Sequence, residues 1–324
     1  MNSTSYSPHM TQTNPPNSSR SATLLNNTSF AIGMVLLFDS FHLILARWLS
    51  NSLHPLASAF WVLGIAAVEI AVYLKIMGLI DWQVLKDHFW FFFSIGFLVA
   101  VATSMNYTAV TFVDAGTASM LSRSSTIFAI AFGIIWLKDR LTPLQWIGAA
   151  VALIGVLTIS FQPIQSFQIG ALLVLGSAFA YSLHAAIVKR YGDEIDFGNF
   201  MLFRVGMTAA ILLAFVLAAP LTAADPVRFL PQAGFEWMAL IITGTVDVVF
   251  SRVFYYWSLR QIELSYHSIF LILAPVVTVL WSFLIFGEVP NLQTFIGGAI
   301  VILGIFVVNW ERLRLRLSAT PAEG

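Results

Sequence analysis

Ser125-Thr126-Ile127-Phe128, Leu137-Lys138-Asp139-Arg140, and Ile147-Gly148 with Gly155 decide the fold, because the same pattern returns 149 residues later. The second copy reads Ala274-Pro275-Val276-Val277, Phe286-Gly287-Glu288-Val289, and Ile296-Gly297 with Gly304. Each copy predicts an apolar helix, a tight acidic turn and a second apolar helix. The two glycines of a copy stand seven residues apart, about two helical turns, and so share one face. An acid and two glycines that keep register across the shift mark an internal repeat.

Composition sets the solvent around that repeat. Of 324 residues, 58% are hydrophobic and 10% charged, and the mean hydropathy is +0.84. Soluble domains run at roughly 45–50% apolar and about 25% charged. Most of this chain must therefore face lipid or other helices. Zero net charge gives no electrostatic case for nucleic acid, and the lack of cysteine excludes disulfides, thiolate metal sites and thiol nucleophiles.

Ten apolar spans of membrane-crossing length are predicted, at 30–48, 55–76, 89–110, 116–137, 143–161, 168–188, 197–219, 235–257, 264–286 and 291–310. They are continuous apolar runs without alternation, which excludes a membrane barrel. The expected fold class is an all-α integral membrane protein with ten transmembrane helices in two inverted five-helix repeats. The expected divisions are a disordered N-terminal tail at 1–28, repeats at 29–162 and 163–311, and a C-terminal tail at 312–324. Both tails are expected in the cytoplasm and the spans in the cell (inner) membrane.

Basic residues give that orientation. With the N-terminus inside, the inner side collects Arg20, Lys75, Lys86, Lys138, Arg140, Lys189, Arg190, Arg260, Arg312, Arg314 and Arg316. The outer side holds only Arg47 and Arg228. Basic residues accumulate on the cytoplasmic side of membrane proteins. Five spans per half is an odd number, so the second half enters the membrane upside down. Paired inverted halves are how many secondary carriers obtain two gates around one central site.

The repeated turn, Ala274-Pro275-Val276-Val277 and the glycine pairs resemble the drug/metabolite transporter superfamily, and within it the EamA-type permeases. The resemblance covers roughly residues 30–310, and Arg204 early in the seventh span fits it. The first copy departs mildly, with Thr126 in place of the proline and Asp139 in place of the glutamate. The resemblance implies a ten-helix carrier whose cavity is lined by spans 1, 3, 4, 6, 8 and 9, with spans 5 and 10 peripheral. It leaves the substrate open.

Residues that repeat belong to the scaffold; those that do not are candidates for function. Gly148, Gly155, Gly297 and Gly304 are expected to pack helices closely, and Asp139 and Glu288 to shape turns or meet at a gate. Asp39 sits mid-span opposite Gly176, and Asp247 sits mid-span where the first half is wholly apolar. A carboxylate at mid-membrane costs about 2.5–3.5 kcal/mol even on insertion scales and needs a partner or a wet cavity. Both are therefore proton-coupling and substrate-binding candidates; the plainer role is a buried acid paired with Arg123, Arg204 or Arg252. His42 lies three residues from Asp39, on one helix face. Arg252 stands five residues after Asp247, an offset of about 140° that does not force the two to pair. The substrate-binding set is Asp39, His42, Arg123, Tyr181, Asp247, Arg252 and Tyr256, with a membrane-interface belt as the alternative role for the aromatics. Glu69 and Arg204, on spans 2 and 7, are expected to form an ion pair between the halves. His184 and His267 are expected near cytoplasmic span ends.

No cofactor or metal is expected, and no enzyme: there is no His-Glu-x-x-His and no Gly-x-Ser-x-Gly. A P-loop is likewise missing, so ATP is not the expected energy source. The expected partners are a small-molecule substrate, membrane lipids and protons as candidate coupling ion, without nucleic acid, in a monomer or homodimer. The leading reading is export of an amino-acid-like or amphipathic metabolite. The alternatives are a carrier of organic anions or phosphorylated metabolites, for which Arg123 and Arg252 must converge away from acids, and a channel or intramembrane enzyme.

Overall fold

The repeated turn sets the local geometry. The computed structural model describes residues 30–50, 53–138, 142–160, 165–218, 229–232, 234–262, 267, 271, 274–288 and 291–319. In it Lys138 and Gly287, equivalent across the repeat, both take left-handed backbone, with φ of 62° and 67°. Each ends a helix, the Lys138 N–H bonding to Gly133 O and the Gly287 N–H to Phe283 O. The helices that follow start on equivalent caps. Thr142 and Gln145 bond reciprocally, the Thr142 N–H to Gln145 Oε1 at 2.9 Å and the Gln145 N–H to Thr142 Oγ1 at 3.4 Å. In the second copy the Thr294 N–H bonds to Asn291 Oδ1 at 2.8 Å. Short polar side chains satisfy the first free N–H groups of a helix in this way. Asp139 and the expected N-terminal tail at 1–28 lie outside the described residues.

The described residues contain helices and no strand. Seven helices are long and apolar enough to cross a membrane: α1 (Phe30–Leu49), α2 (Pro55–Ile76), α4 (Phe89–Ala109), α5 (Ala115–Leu137), α7 (Gln165–Tyr191), α8 (Phe197–Ala218) and α9 (Gly234–Gln261). Shorter apolar stretches lie in α6 (Pro143–Ser160), α10 (Ala274–Phe286) and α11 (Leu292–Ala319), while α3 (Trp82–Asp87) is a short connector. Much of the predicted span 264–286 before α10 lies outside the described residues. Helix α11 continues to Ala319, so the expected tail from residue 312 starts inside a helix. Large apolar side chains such as Trp90 (74% exposed) and Ile135 (81%) face outward, as contact with lipid requires.

Packing follows the repeat. Helix α6 packs on α11, α2 on α8 and α5 on α10, each pair joining a helix to its equivalent in the other half. At the α6–α11 crossing the four repeated glycines meet. A Cβ on Gly155 would lie 2.6 Å from Gly297 O, and one on Gly304 would lie 2.6 Å from Gly148 O. Backbone touches backbone there, which only glycine permits.

Three helices are interrupted in their middles. Helix α1 breaks at Ser40 and Phe41, and α5 breaks at Arg123 and Ser124, whose N–H groups bond only three residues back. Helix α9 is wound as a π-helix from Gly244 to Phe250. The carbonyl of Ser40 freed by the first break accepts from Thr278 Oγ1 of α10 at 3.1 Å. Non-helical backbone inside a membrane is tolerated where protein side chains or a cavity satisfy it.

Candidate functional site

The three interruptions converge on a buried cluster of charge. The break in α1 falls between Asp39 and His42, which form no ion pair with each other among the described residues. Instead His42 Nδ1 lies 2.7 Å from Asp247 Oδ2 on α9. The π-winding of α9 bonds residue i to residue i+5 and widens the turn, which brings i and i+5 nearer than on a regular helix. Arg252 Nη2 is accordingly 3.7 Å from Asp247 Oδ1, closer than a regular helix would place it. Its Nη1 donates to Asp39 Oδ1 at 3.1 Å. Asp39 Oδ2 in turn pairs with Arg123 Nη2 at 3.5 Å, and Arg123 Nη1 donates to Leu271 O at 2.5 Å. A chain His42–Asp247–Arg252–Asp39–Arg123 thus runs from α1 and α9 to α5.

This chain borders a cavity of about 100 Å³. Of the residues expected to bind substrate, Asp39, His42, Arg123, Tyr181, Arg252 and Tyr256 line it. Asp247 lines a smaller adjoining cavity of about 20 Å³, which shares His42, Tyr181, Arg204 and Arg252 with the first. Tyr256 is 2% exposed and bonds to His184 Nε2 at 3.1 Å, while Tyr181 bonds to Thr103 Oγ1 at 2.8 Å. These rings form cavity wall, not an interface belt. His267 pairs with Ser258 Oγ at 2.9 Å and packs edge-on against Tyr255.

The expected Glu69–Arg204 pair is not formed. Glu69 accepts from Thr245 Oγ1 at 2.8 Å and stands outside the cavity. Arg204, placed by sequence on a flanking span, reaches in from α8 and lines both cavities. Its guanidinium carbon sits 4.7 Å over the ring of Tyr256. Its Nε and Nη1 are buried without a hydrogen-bond partner among the described residues. Asn106 Oδ1 and Ser177 Oγ, also on the cavity, are unpartnered in the same sense. The signal for Arg204 was present in the sequence, a charged residue inside an apolar span. Its approach to Tyr256 was not.

At one end of the bundle the halves are linked by a separate contact. Arg47 Nη2 of α1 lies 3.4 Å from Glu288 Oε1 in the α10–α11 turn, and its Nη1 donates to Val110 O. Glu288 Oε2 also accepts from Ser282 Oγ at 2.8 Å.

Two repeated helical halves around a central, charged, partly aromatic cavity define a membrane transporter of the drug/metabolite type, and comparison with known proteins agrees. The model of the EamA-like transporter family matches the chain twice, over residues 27–161 and 168–310, so the chain belongs to that family. An uncharacterized transporter of Archaeoglobus fulgidus is 27% identical over 261 residues, 80% of this chain and 90% of the relative. The riboflavin transporter of Vibrio cholerae is 23% identical over 78% of this chain and 82% of its own. A probable terminal-alkyne amino-acid exporter of Streptantibioticus cattleyicolor is 26% identical over 64% and 69%. The chain spans 62% of the Bacillus subtilis transporter YdfC, at 27% identity. One crystal structure superposes with a TM-score of 0.65 over 90% of this chain and 99% of the other, at 17% identity, which speaks to the fold alone. The protein is a membrane transporter.

Proposed function

We propose that the protein is a secondary carrier that moves a small amino-acid-like metabolite by alternating access, exporting it with protons as the coupling ion. The observation that supports this most is the buried chain His42–Asp247–Arg252–Asp39–Arg123 at the junction of the interrupted helices. Charges are placed at such depth where a charged solute or a proton is handled. The cavity, at about 100 Å³, is small beside the roughly 300–1,000 Å³ of pockets for drug-sized ligands. That favours a solute of amino-acid size over one as large as the ligand of the riboflavin transporter. Unpartnered Asn106 Oδ1 and Ser177 Oγ offer an acceptor and a hydroxyl to an amino or other donor group.

The rival reading, a carrier of phosphorylated metabolites, needed Arg123 and Arg252 to converge away from acids. They converge on Asp39, which neutralises both in part and speaks against a phosphate dianion. For the proton, the two acids differ. Asp39 is clamped between two guanidiniums as a strut. Asp247 faces His42, and a carboxylate–imidazole pair can hold or release one proton between them. The coupling proton is therefore assigned to His42 and Asp247, and Asp39 to the framework. Orientation follows the basic residues, with both termini cytoplasmic and the helices in the cell membrane. The two repeats act as separate five-helix units at 29–162 and 163–311.

Counterflow in proteoliposomes, with each amino acid preloaded and tested against its labelled form, tests the reading. Exchange of one or more amino acids above protein-free vesicles is expected. Exchange confined to nucleosides or sugar phosphates would overturn it.

A further inference from the structure

We propose that Arg204 is the anchor for a single carboxylate on the solute, so that the carrier selects molecules with one such group. This deepens the amino-acid-like reading and rests on it for the use of the cavity, but not for the chemistry of the anchor.

The other cavity arginines are already occupied. Arg252 contacts both Asp39 and Asp247, and Arg123 is held by Asp39 and Leu271 O. Arg204 has no carboxylate within ion-pairing distance among the described residues and keeps two N–H groups unpaired at 2% exposure. A guanidinium desolvated in this way is costly unless an anion reaches it. Nor is the charge balanced locally. Arg123, Arg204 and Arg252 line the two cavities against Asp39 and Asp247, three positive groups to two negative ones. The sequence alone allowed Glu69 to complete the balance, but Glu69 is engaged by Thr245 away from the cavity. One positive charge remains, at Arg204.

The surroundings limit what can neutralise it. The free Nε and Nη1 lie on different edges of the guanidinium, so a carboxylate accepts a charge-assisted hydrogen bond at one of them. The Tyr256 ring covers one side of the guanidinium at 4.7 Å and is itself fixed by His184, so the group is held in one plane. A dianion would bring one charge too many for a site with a surplus of one. A neutral solute can accept a hydrogen bond there but leaves the guanidinium without a counter-charge. A monocarboxylate, whether or not it also carries an ammonium group, satisfies both conditions.

The purified full chain in lipid nanodiscs is titrated by calorimetry with benzoate, benzamide and inorganic phosphate at neutral pH. Benzoate is expected to bind at least about 10-fold more tightly than the isosteric benzamide, the ratio that one charge-assisted contact of about 1.4 kcal/mol provides. Arg204→Gln should remove the difference, benzoate binding no more tightly than benzamide. Equal binding of benzoate and benzamide to the wild type, phosphate binding tighter than benzoate, or a benzoate preference that survives in folded Arg204→Gln would each overturn the proposal. Should that variant fail to fold, the wild-type protein decides. Phenylglyoxal modification of Arg204, read by peptide mass spectrometry, should slow at least about 5-fold with benzoate and not with benzamide. Equal rates would overturn the assignment. Benzoate protection alongside a failed amino-acid counterflow would reject only the amino-acid reading.

Discussion

Asp247 and Arg252 stand five residues apart yet approach to 3.7 Å, because α9 is wound as a π-helix across Gly244–Phe250. On a regular helix the two would point about 140° apart. The wider turn lets one guanidinium touch both membrane acids, Asp247 on its own helix and Asp39 on α1. Single π-turns store the cost of a weaker hydrogen-bond ladder and occur often at functional sites.

That geometry separates the two acids by experiment. Asp247→Asn removes the charge facing His42 and the longer contact to Arg252, but leaves Arg252 its shorter contact with Asp39. The variant should fold and exchange substrate down its gradient, and lose accumulation driven by a pH gradient to the level of empty vesicles. Asp39→Asn should behave differently, because it strips Arg123 and Arg252 of their main counter-charge. Breaking a buried pair on one side costs about 3–5 kcal/mol. Folded yield and exchange should fall together, measured by fluorescence-detected gel filtration and counterflow. Full pH-driven accumulation in Asp247→Asn would remove the His42–Asp247 pair from the coupling path.

The glycine crossing yields a sharper test than yield alone. Gly304→Ala puts a Cβ 2.5 Å from Ala152 N, so α6 and α11 must move apart. Overpacking of this kind costs about 1–3 kcal/mol. Gly206→Ala in α8 is the control, since nothing lies within 4 Å of its added methyl. That substitution should be neutral or stabilise by up to about 1 kcal/mol through helix propensity. Thermal denaturation of the two variants in the same detergent should order them Gly206→Ala, wild type, Gly304→Ala. A Gly304→Ala melting temperature at or above that of the wild type would show that the crossing is not a tight backbone contact.

Much of this was legible in the sequence, for definable physical reasons. Local signals reach the page directly: the turn at Lys138 and Gly287, the glycine spacing and the apolar runs all report on neighbours a few residues away. The seven candidate residues that line the two cavities stood out because charge and aromatic hydroxyls are conspicuous in apolar helices. Their pairing could not. His42 finds Asp247 across 205 positions, and no spacing rule spans that distance. The break at Ser40 and Phe41 contains neither proline nor glycine, so it has no local mark in the sequence. Arg204 was misplaced for a related reason. Its helix does flank the bundle, as α2–α8 packing shows, but its side chain is long enough to cross into the cavity.

Lys138 occupies a conformation that suits glycine, its repeat partner Gly287. Left-handed backbone costs a residue with a Cβ roughly 1–2 kcal/mol. Lys138→Gly should relieve part of this strain, raising thermal stability by about 1 kcal/mol at most, since the unfolded chain also gains freedom. A melting temperature below that of the wild type would mean that the lysine side chain contributes more than its backbone costs.

Inversion of the halves is open to a direct labelling test. Pro143 and Leu292, the first residues of α6 and α11, are equivalent across the repeat and exposed. In this cysteine-free chain Pro143→Cys and Leu292→Cys give one thiol each. An impermeant maleimide added to intact cells should label Leu292→Cys and spare Pro143→Cys until the membrane is opened. Labelling of both from one side would end the inverted-repeat description.

The contact between Arg47 and Glu288 joins the halves at the end where α1 meets the α10–α11 turn, and should act as a latch. Its side chains are 30% and 23% exposed, so water screens the pair. Exposed ion pairs contribute about 0.2–1 kcal/mol. A latch of that strength shifts an open–closed equilibrium by about 1.4- to 5-fold, enough to change a rate without locking the protein. Glu288→Gln keeps the shape and the bond from Ser282 Oγ but removes the charge. With Ser177→Cys as the reporter thiol in the cavity, Glu288→Gln should speed its labelling by external maleimide within that range. Arg47→Gln should do the same, and the double variant should add little, because both substitutions break one contact. If the two single effects instead multiply, each residue acts through other partners, such as Val110 O for Arg47, and the latch is not this pair.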